Sequence, residues 1–178
     1  MNFLPGGLPG LVVVEPRVFR DDRGFFLEPY HAPRYKAGGI TVDFVQDNHS
    51  FSRHGVLRGL HFQEGPGQSK LIRCARGRIW DVAVDIRPGS ETFGKWWGLE
   101  LDSETHRQLF IPAGFAHGFC VISPEAEVMY KCSTVYDPAT EAGILWNDPE
   151  LAVAWPIAEP VVSQRDIDAP TLAKYLAR

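Results

Sequence analysis

IWDVAVDI, residues Ile79–Ile86, alternates Trp80, Val82, Val84 and Ile86 with Asp81, Ala83 and Asp85. A period of two sends successive side chains to opposite faces, the mark of a half-buried β-strand. Working outward, similar short runs recur between breakers: Leu11–Val14, Gly24–Glu28, Thr41–Gln46, Val56–Phe62, Lys70–Cys74, Trp96–Glu100, Gln108–Ile111, Gly118–Ile122 and Val128–Thr134. The 17 glycines and 14 prolines are spread along the chain, as turns between many short strands require. Helical pattern is confined to Ala32–Ala37 and Thr171–Ala177. The spacing predicts an all-β fold, a barrel or double-sheet jelly roll with a few short peripheral helices.

At 178 residues the chain suits one domain spanning 1–178, and 44% hydrophobic content is enough for a real core. A net charge of -4 argues against general nucleic-acid binding, which calls for a basic face. No apolar run approaches the roughly 18 residues of a membrane helix, so no membrane association is expected. The opening MNFLPGGLPG is too rich in Gly and Pro for a signal-peptide core. Cys74, Cys120 and Cys132 lie far apart with no C-x-x-C pair, which predicts reduced, buried thiols and a cytoplasmic location.

Between Arg53 and Arg78 six basic residues face one acid, a net +5 in a chain of -4, so the remainder carries -9. A basic focus in an acidic protein fits a local site for a phosphate-bearing ligand, although a solvated strand edge decorated with Arg and Lys would count the same. The window also holds His61, and imidazole is the side chain best suited to proton transfer near neutral pH. GVLRGLHFQ sets Arg58 and His61 three apart beside two glycines. In a regular strand such residues face opposite ways, so a shared site requires a bend or bulge at Gly59.

Seven strings fall in a familiar order: DDRGFFLE (Asp21–Glu28), FVQDNHS (Phe44–Ser50), VLRGLHFQ (Val56–Gln63), KLIRCARGRIWDVAVDIR (Lys70–Arg87), FIPAGFAHGF (Phe110–Phe119), YKCSTVYDP (Tyr130–Pro138) and LWNDP (Leu145–Pro149). Together they resemble the dTDP-4-dehydrorhamnose 3,5-epimerases, metal-free cupins, over about Leu11 to Pro170. The resemblance implies a cupin-type jelly roll and no cofactor. It also implies a dTDP-sugar substrate, dTDP-4-dehydro-6-deoxy-D-glucose, inverted at C3 and C5. By the same analogy His61 is the base, Asp166 in SQRD orients it, Lys70 faces the developing enolate and Tyr130 returns a proton. Arg58 and Arg23 match arginines around the nucleotide diphosphate, and Glu28, Gln46, Asp47 and Asn48 match positions lining the nucleotide pocket. His117 and Glu141 match substrate-side positions, whereas Arg165 stands where the family suggests lysine, and a planar guanidinium is not equivalent to an ammonium. Residues near Arg23 and Glu28 would reach a neighbouring subunit, which implies a homodimer with exchanged strands.

Three rival readings make different demands. A metal cupin combines an H-x-H pair with a carboxylate and a later histidine, but the two-residue step from His61 lands on Gln63, while the later P-x-G-x-x-H piece, Pro112–His117, is kept. A non-catalytic sugar-nucleotide-binding cupin needs arginines and aromatics, yet has no use for the set His61, Asp166 and Tyr130. A single-carbon epimerase, acting at C3 or C5 alone, differs by sugar pose, which residue types do not encode.

Overall fold

The computed structural model describes residues 1–178. In chain order the first half forms β1 (Asn2–Pro5), β2 (Val12–Glu15), β3 (Val18–Asp21), β4 (Gly24–Leu27), α1 (Ala32–Ala37), β5 (Gln46–Arg53), β6 (Val56–Gln63) and β7 (Lys70–Arg76). There follow β8 (Arg78–Asp85), β9 (Trp96–Asp102), β10 (Gln108–Ile111), β11 (Phe115–Val121), β12 (Glu125–Cys132), β13 (Glu141–Gly143), β14 (Val161–Val162), α2 (Gln164–Ile167) and α3 (Leu172–Leu176). One sheet runs β1-β2-β10-β7-β12-β5 and the other β13-β6-β11-β8-β9, with β14 lying parallel to the start of β6. Strands distant in sequence are neighbours in both sheets, the jelly-roll pattern expected from the sequence. The hairpin β3–β4 belongs to neither sheet.

Fifteen buried residues form the layer between the sheets, with Ile72, Leu109 and Val128 from one side and Ile79, Leu101 and Phe119 from the other. A second cluster (Leu60, Val82, Val84, Ala116, Ile144, Leu151, Leu172) lies where the C-terminal segment covers the back of the second sheet. Strand β8 sits between β11 and β9 with both faces covered. The alternation in Ile79–Ile86 therefore marks the strand, but the half-buried expectation is corrected. Asp81 and Asp85 are as buried as Val82 and Val84.

Two local features aim the site. His117 of β11 sits opposite His61 while Phe119 sits opposite Arg58, so three residue steps of β6 span two of β11. This is the bulge that the Arg58/His61 spacing demanded. It depends on glycine on both strands: Gly59 has φ +127°, and a Cβ there would meet Gly118 Cα at 2.5 Å. The other feature is the expected strand at Thr41–Gln46, which is corrected. Val42 and Phe44 pack beside Tyr35 and Phe110 as irregular chain, and the strand β5 starts only at Gln46. Its sequence QDNHSFSR has no apolar face, because Gln46, Asn48, Ser50 and Ser52 turn inward while Asp47, His49, Phe51 and Arg53 stay exposed.

Asp85 ties the end of β8 to the following turn. Its buried carboxylate accepts from Arg87 Nε, Arg87 NH2, Ser90 Oγ and Thr92 Oγ1 at 2.9, 2.6, 2.6 and 2.6 Å. Burial alone would raise this carboxyl, but those bonds outweigh it and pull it well below the carboxylate range. A lowered folded pKa adds stability that is present above the unfolded value, about 3.9, and is lost as pH falls through the folded one. Asp85→Asn should therefore cost about 3–5 kcal/mol near pH 7 and less below pH 3, as read by urea unfolding. An equal loss at both pH values would contradict the charged role.

Candidate active site

A cavity of about 480 Å³ opens between the sheets, with floor and walls drawn from β5, β6, β7, β11, β12, β14 and α2. His61, bulged inward by Gly59, presents Nε2 to Asp166 Oδ1 at 2.6 Å. Asp166 is only 4% exposed, and its second oxygen faces the Gly59 N–H at 3.4 Å. The local reason it sits there is the S-Q-R-D string: Ser163 caps α2 by accepting from the Asp166 N–H at 3.2 Å. Asp166 thus occupies the third position of a one-turn helix and serves the imidazole as well. Burial would raise its carboxyl, but the His61 bond and charge, the Gly59 N–H and Ser163 hold it below the ordinary range.

Lys70, the first residue of β7, is buried and directs Nζ toward the His61 carbonyl at 3.4 Å. Desolvation lowers its pKa, partly offset by the nearby carboxylates of Asp81 and Glu141. Tyr130 on β12 closes the other side, and burial, with Cys132 adding, pushes its phenol upward. Arg58 also lines the cavity, with Nε donating to Ser52 Oγ at 3.1 Å. His117 lies opposite His61 across the β6–β11 pairing and gives Nε2 to Asp81 Oδ2 at 2.8 Å, both side chains buried. The site therefore holds two imidazole–carboxylate pairs on adjacent strands, each histidine with its Nε2 engaged. No three His, Cys, Asp or Glu side chains converge in a group that could hold a metal ion, and Gln63 spends its amide on Asp137 O and Thr140 Oγ1.

The other expected residues divide into three groups. Gln46 and Asn48 lie on the inward face of β5, where Gln46 Nε2 donates to Asn48 Oδ1 at 3.1 Å and Asn48 Nδ2 to Cys132 Sγ at 3.5 Å. Glu141 and Arg165 meet each other at the rim at 2.7 Å. Arg23, Glu28 and Asp47 do not line this cavity. They form surface pairs with Asp21, Arg34 and Lys131 respectively. Three contributors were not anticipated. Asp81 was hidden on the supposedly wet face of an alternating strand. Ser52 sits in a polar run, and only Ser163 carried a signal, the S-x-x-D capping pattern.

Comparison with known proteins gives one consistent result. The family model described as dTDP-4-dehydrorhamnose 3,5-epimerase matches residues 6–174. The dTDP-4-dehydrorhamnose 3,5-epimerase of Shigella flexneri is 51% identical over 170 residues, covering 94% of both chains. A dTDP-4-dehydrorhamnose 3-epimerase of Streptomyces niveus is 45% identical, over 98% of this chain and 85% of its own. Among solved structures, the dTDP-6-deoxy-D-glucose-3,5-epimerase of Legionella pneumophila, in complex with dTDP-4-keto-L-rhamnose, superposes with a TM-score of 0.93. It shares 48% identity and covers 97% of this chain and 93% of that one.

The burial of Lys70 has a direct readout. Lys70 should titrate below the ordinary lysine value when its side-chain amine is followed by NMR against pH. A midpoint at the ordinary value would mean that the ammonium is hydrated and turned away from the cavity.

Proposed function

The chain belongs to the dTDP-4-dehydrorhamnose 3,5-epimerase family, and from that premise we propose that it inverts C3 and C5 of dTDP-4-dehydro-6-deoxy-D-glucose to give dTDP-4-dehydro-L-rhamnose. The observation that carries the reading is the His61–Asp166 pair at 2.6 Å in the same cavity as Lys70 and Tyr130. Both carbons lie alpha to the C4 ketone, so one base can remove either proton if the resulting enolate is stabilised. His61 is that base. Asp166 fixes its tautomer and stabilises the imidazolium as it forms. Lys70, buried beside the His61 carbonyl, supplies a positioned cation for the enolate oxygen. Tyr130 returns a proton to the opposite face, and its raised pKa keeps the phenol in the donating form.

Arg58 engages the diphosphate, braced by Ser52, and His117 with its Asp81 partner faces the sugar. Gln46 and Asn48 line the nucleotide end, with Glu141 and Arg165 at its rim. Arg23 and Glu28 serve the site of a second subunit in a homodimer with exchanged strands, while Asp47, paired with Lys131 on the outer face of β5, borders the nucleotide end. What favours that assembly is the β3–β4 hairpin, detached from both sheets, with Phe19, Phe25 and Phe26 exposed at 46%, 53% and 65%. Reduced, buried Cys74, Cys120 and Cys132 fit the reducing cytoplasm. The test of the whole reading is incubation with the substrate in deuterated water, followed by NMR. Deuterium entry with inversion at both carbons is expected; entry at C3 alone would make the chain a single-carbon epimerase, and no entry would refute the epimerase reading.

His61→Ala should abolish exchange at both carbons while leaving nucleotide affinity largely intact, because loss of a positioned base costs about 10²–10⁴-fold. Wild-type exchange at either carbon would remove His61 as the common base.

Tyr130→Phe separates proton removal from inversion. With the donor gone, His61 still forms the enolate, but the proton returns from water or, on the original face, from His61 itself. The variant should therefore take up deuterium faster than it inverts, whereas the ratio in the unmodified protein stays nearer to one. Loss of exchange and inversion in equal proportion would show that Tyr130 is needed for deprotonation as well.

A further inference from the structure

Glu141 lies on β13, which pairs with the His61 half of β6, with Gly143 opposite His61 and Glu141 opposite Gln63. Its Oε1 meets Arg165 NH2 at 2.7 Å and its Oε2 accepts from the Tyr136 hydroxyl at 2.6 Å. The Glu141 side chain is only 18% exposed, so both oxygens are committed. Arg165 precedes Asp166 in α2, a helix of four residues whose capping bond comes from Ser163. A single turn does not hold its own shape in water, since nucleation fixes several dihedrals for one hydrogen bond. Its position must come from outside, and the side-chain anchors recorded are Asp166 on His61 and Gly59, and Arg165 on Glu141.

We propose that the Glu141–Arg165 pair is a positioning element that clamps α2 to β13 and so keeps Asp166 seated on His61. This inference rests on His61 being the catalytic base. Two physical consequences follow from releasing the clamp. The 2.6 Å contact tolerates little drift, because a shift of about 1 Å takes it beyond hydrogen-bond range. In addition, Arg165 lies within electrostatic reach of Asp166, and a guanidinium without its carboxylate turns to the next one. Glu141 therefore both holds the helix and keeps Arg165 from drawing Asp166 away from the imidazole. Although burial would raise the Glu141 carboxyl, Arg165, Tyr136 and the His61 charge hold it low, so it remains an anion at working pH.

The test combines NMR of the His61 imidazole with kinetics on Glu141→Ala, Glu141→Gln, Arg165→Lys and the double variant Glu141→Ala/Arg165→Ala. Asp166→Asn provides the reference spectrum for a lost His61–Asp166 bond. Glu141→Ala should move the His61 ring-nitrogen signals toward that reference and lower kcat roughly 10²-fold with KM little changed. Arg165→Lys, which keeps a cation for Glu141, should leave the His61 ring-nitrogen signals close to those of the unmodified protein, whatever it does to KM. The double variant should be no worse than Glu141→Ala, since the competing guanidinium is gone with its partner. Thermal melting verifies folding, and if Glu141→Ala melts early, Glu141→Gln, which preserves shape, must show the same direction of change. Unmoved His61 signals with losses that multiply in KM would overturn the proposal and make both residues independent substrate contacts. If the unmodified protein proves inactive while the His61 signals still respond, the epimerase reading fails and the clamp stands.

Discussion

A carboxylate that keeps only 4% of its surface in water must be paired, and Asp166 is paired with an imidazole 105 residues earlier in the chain. That contact fastens the C-terminal segment to β6 and determines what β6 must look like. To turn both Arg58 and His61 inward, the strand carries an extra residue at Gly59, and the same bulge aims the Gly59 amide at the second Asp166 oxygen. Gly118 on the facing strand completes the arrangement, because a Cβ there would lie 2.9 Å from the Arg58 carbonyl. One buried charge thus dictates a helix cap, a bulge and two glycines.

Other buried polar groups obey the same rule with a different outcome. Asp148 accepts from the Glu150, Leu151 and Leu172 amides, and Gln108 binds both Tyr35 and the Pro29 carbonyl. These groups are saturated by the chain and hold loops in place. Groups around the cavity are less completely satisfied: Asp81 gives one oxygen to His117 while its other has no partner within the chain. Asp85 is just as enclosed but has both oxygens bonded, so burial alone does not tell the two carboxylates apart.

The legible parts of the sequence were those with a repeating physical cause. Alternation gave β8 nearly to the residue, and short runs between breakers gave β6 and β10 within a residue of their bounds. Strand β5 was not legible because its inward face is Gln46, Asn48, Ser50 and Ser52, so it carries no hydrophobic period to read. Its apolar preface, Val42 and Phe44, imitated a strand by packing on Tyr35 and Phe110. The basic window overlaps the cavity with only part of its charge. Arg58 and Lys70 do face the cavity, but Arg76 pairs with Glu125 and Glu127 and Arg78 with Glu100 on the surface. Charge counting cannot divide arginines between a ligand and a neighbouring strand. The roles given to His61 and Lys70, and the choice of Tyr130 and Asp166 beside them, came through resemblance to a family, because their meeting depends on pairings far apart in sequence.

Lys70 shows how the fold prepares the chemistry assigned to it. A buried ammonium loses hydration, and its recorded donor contact, the His61 carbonyl at 3.4 Å, is a long one. The carboxylates of Asp81 and Glu141 lie close enough to oppose the desolvation without bonding to it directly. The cation is therefore under-satisfied in the resting site. An oxygen that gains negative charge as a proton leaves the neighbouring carbon would supply the partner that the fold withholds. A neutral ketone oxygen offers less to that cation than an enolate does, so the stabilisation grows along the reaction, which is the condition for lowering a barrier instead of merely tightening binding. The same argument explains why the Glu141 carboxylate is held by other groups. Arg165 and Tyr136 occupy its two oxygens, so it is not free to collapse onto Lys70 and satisfy it in advance.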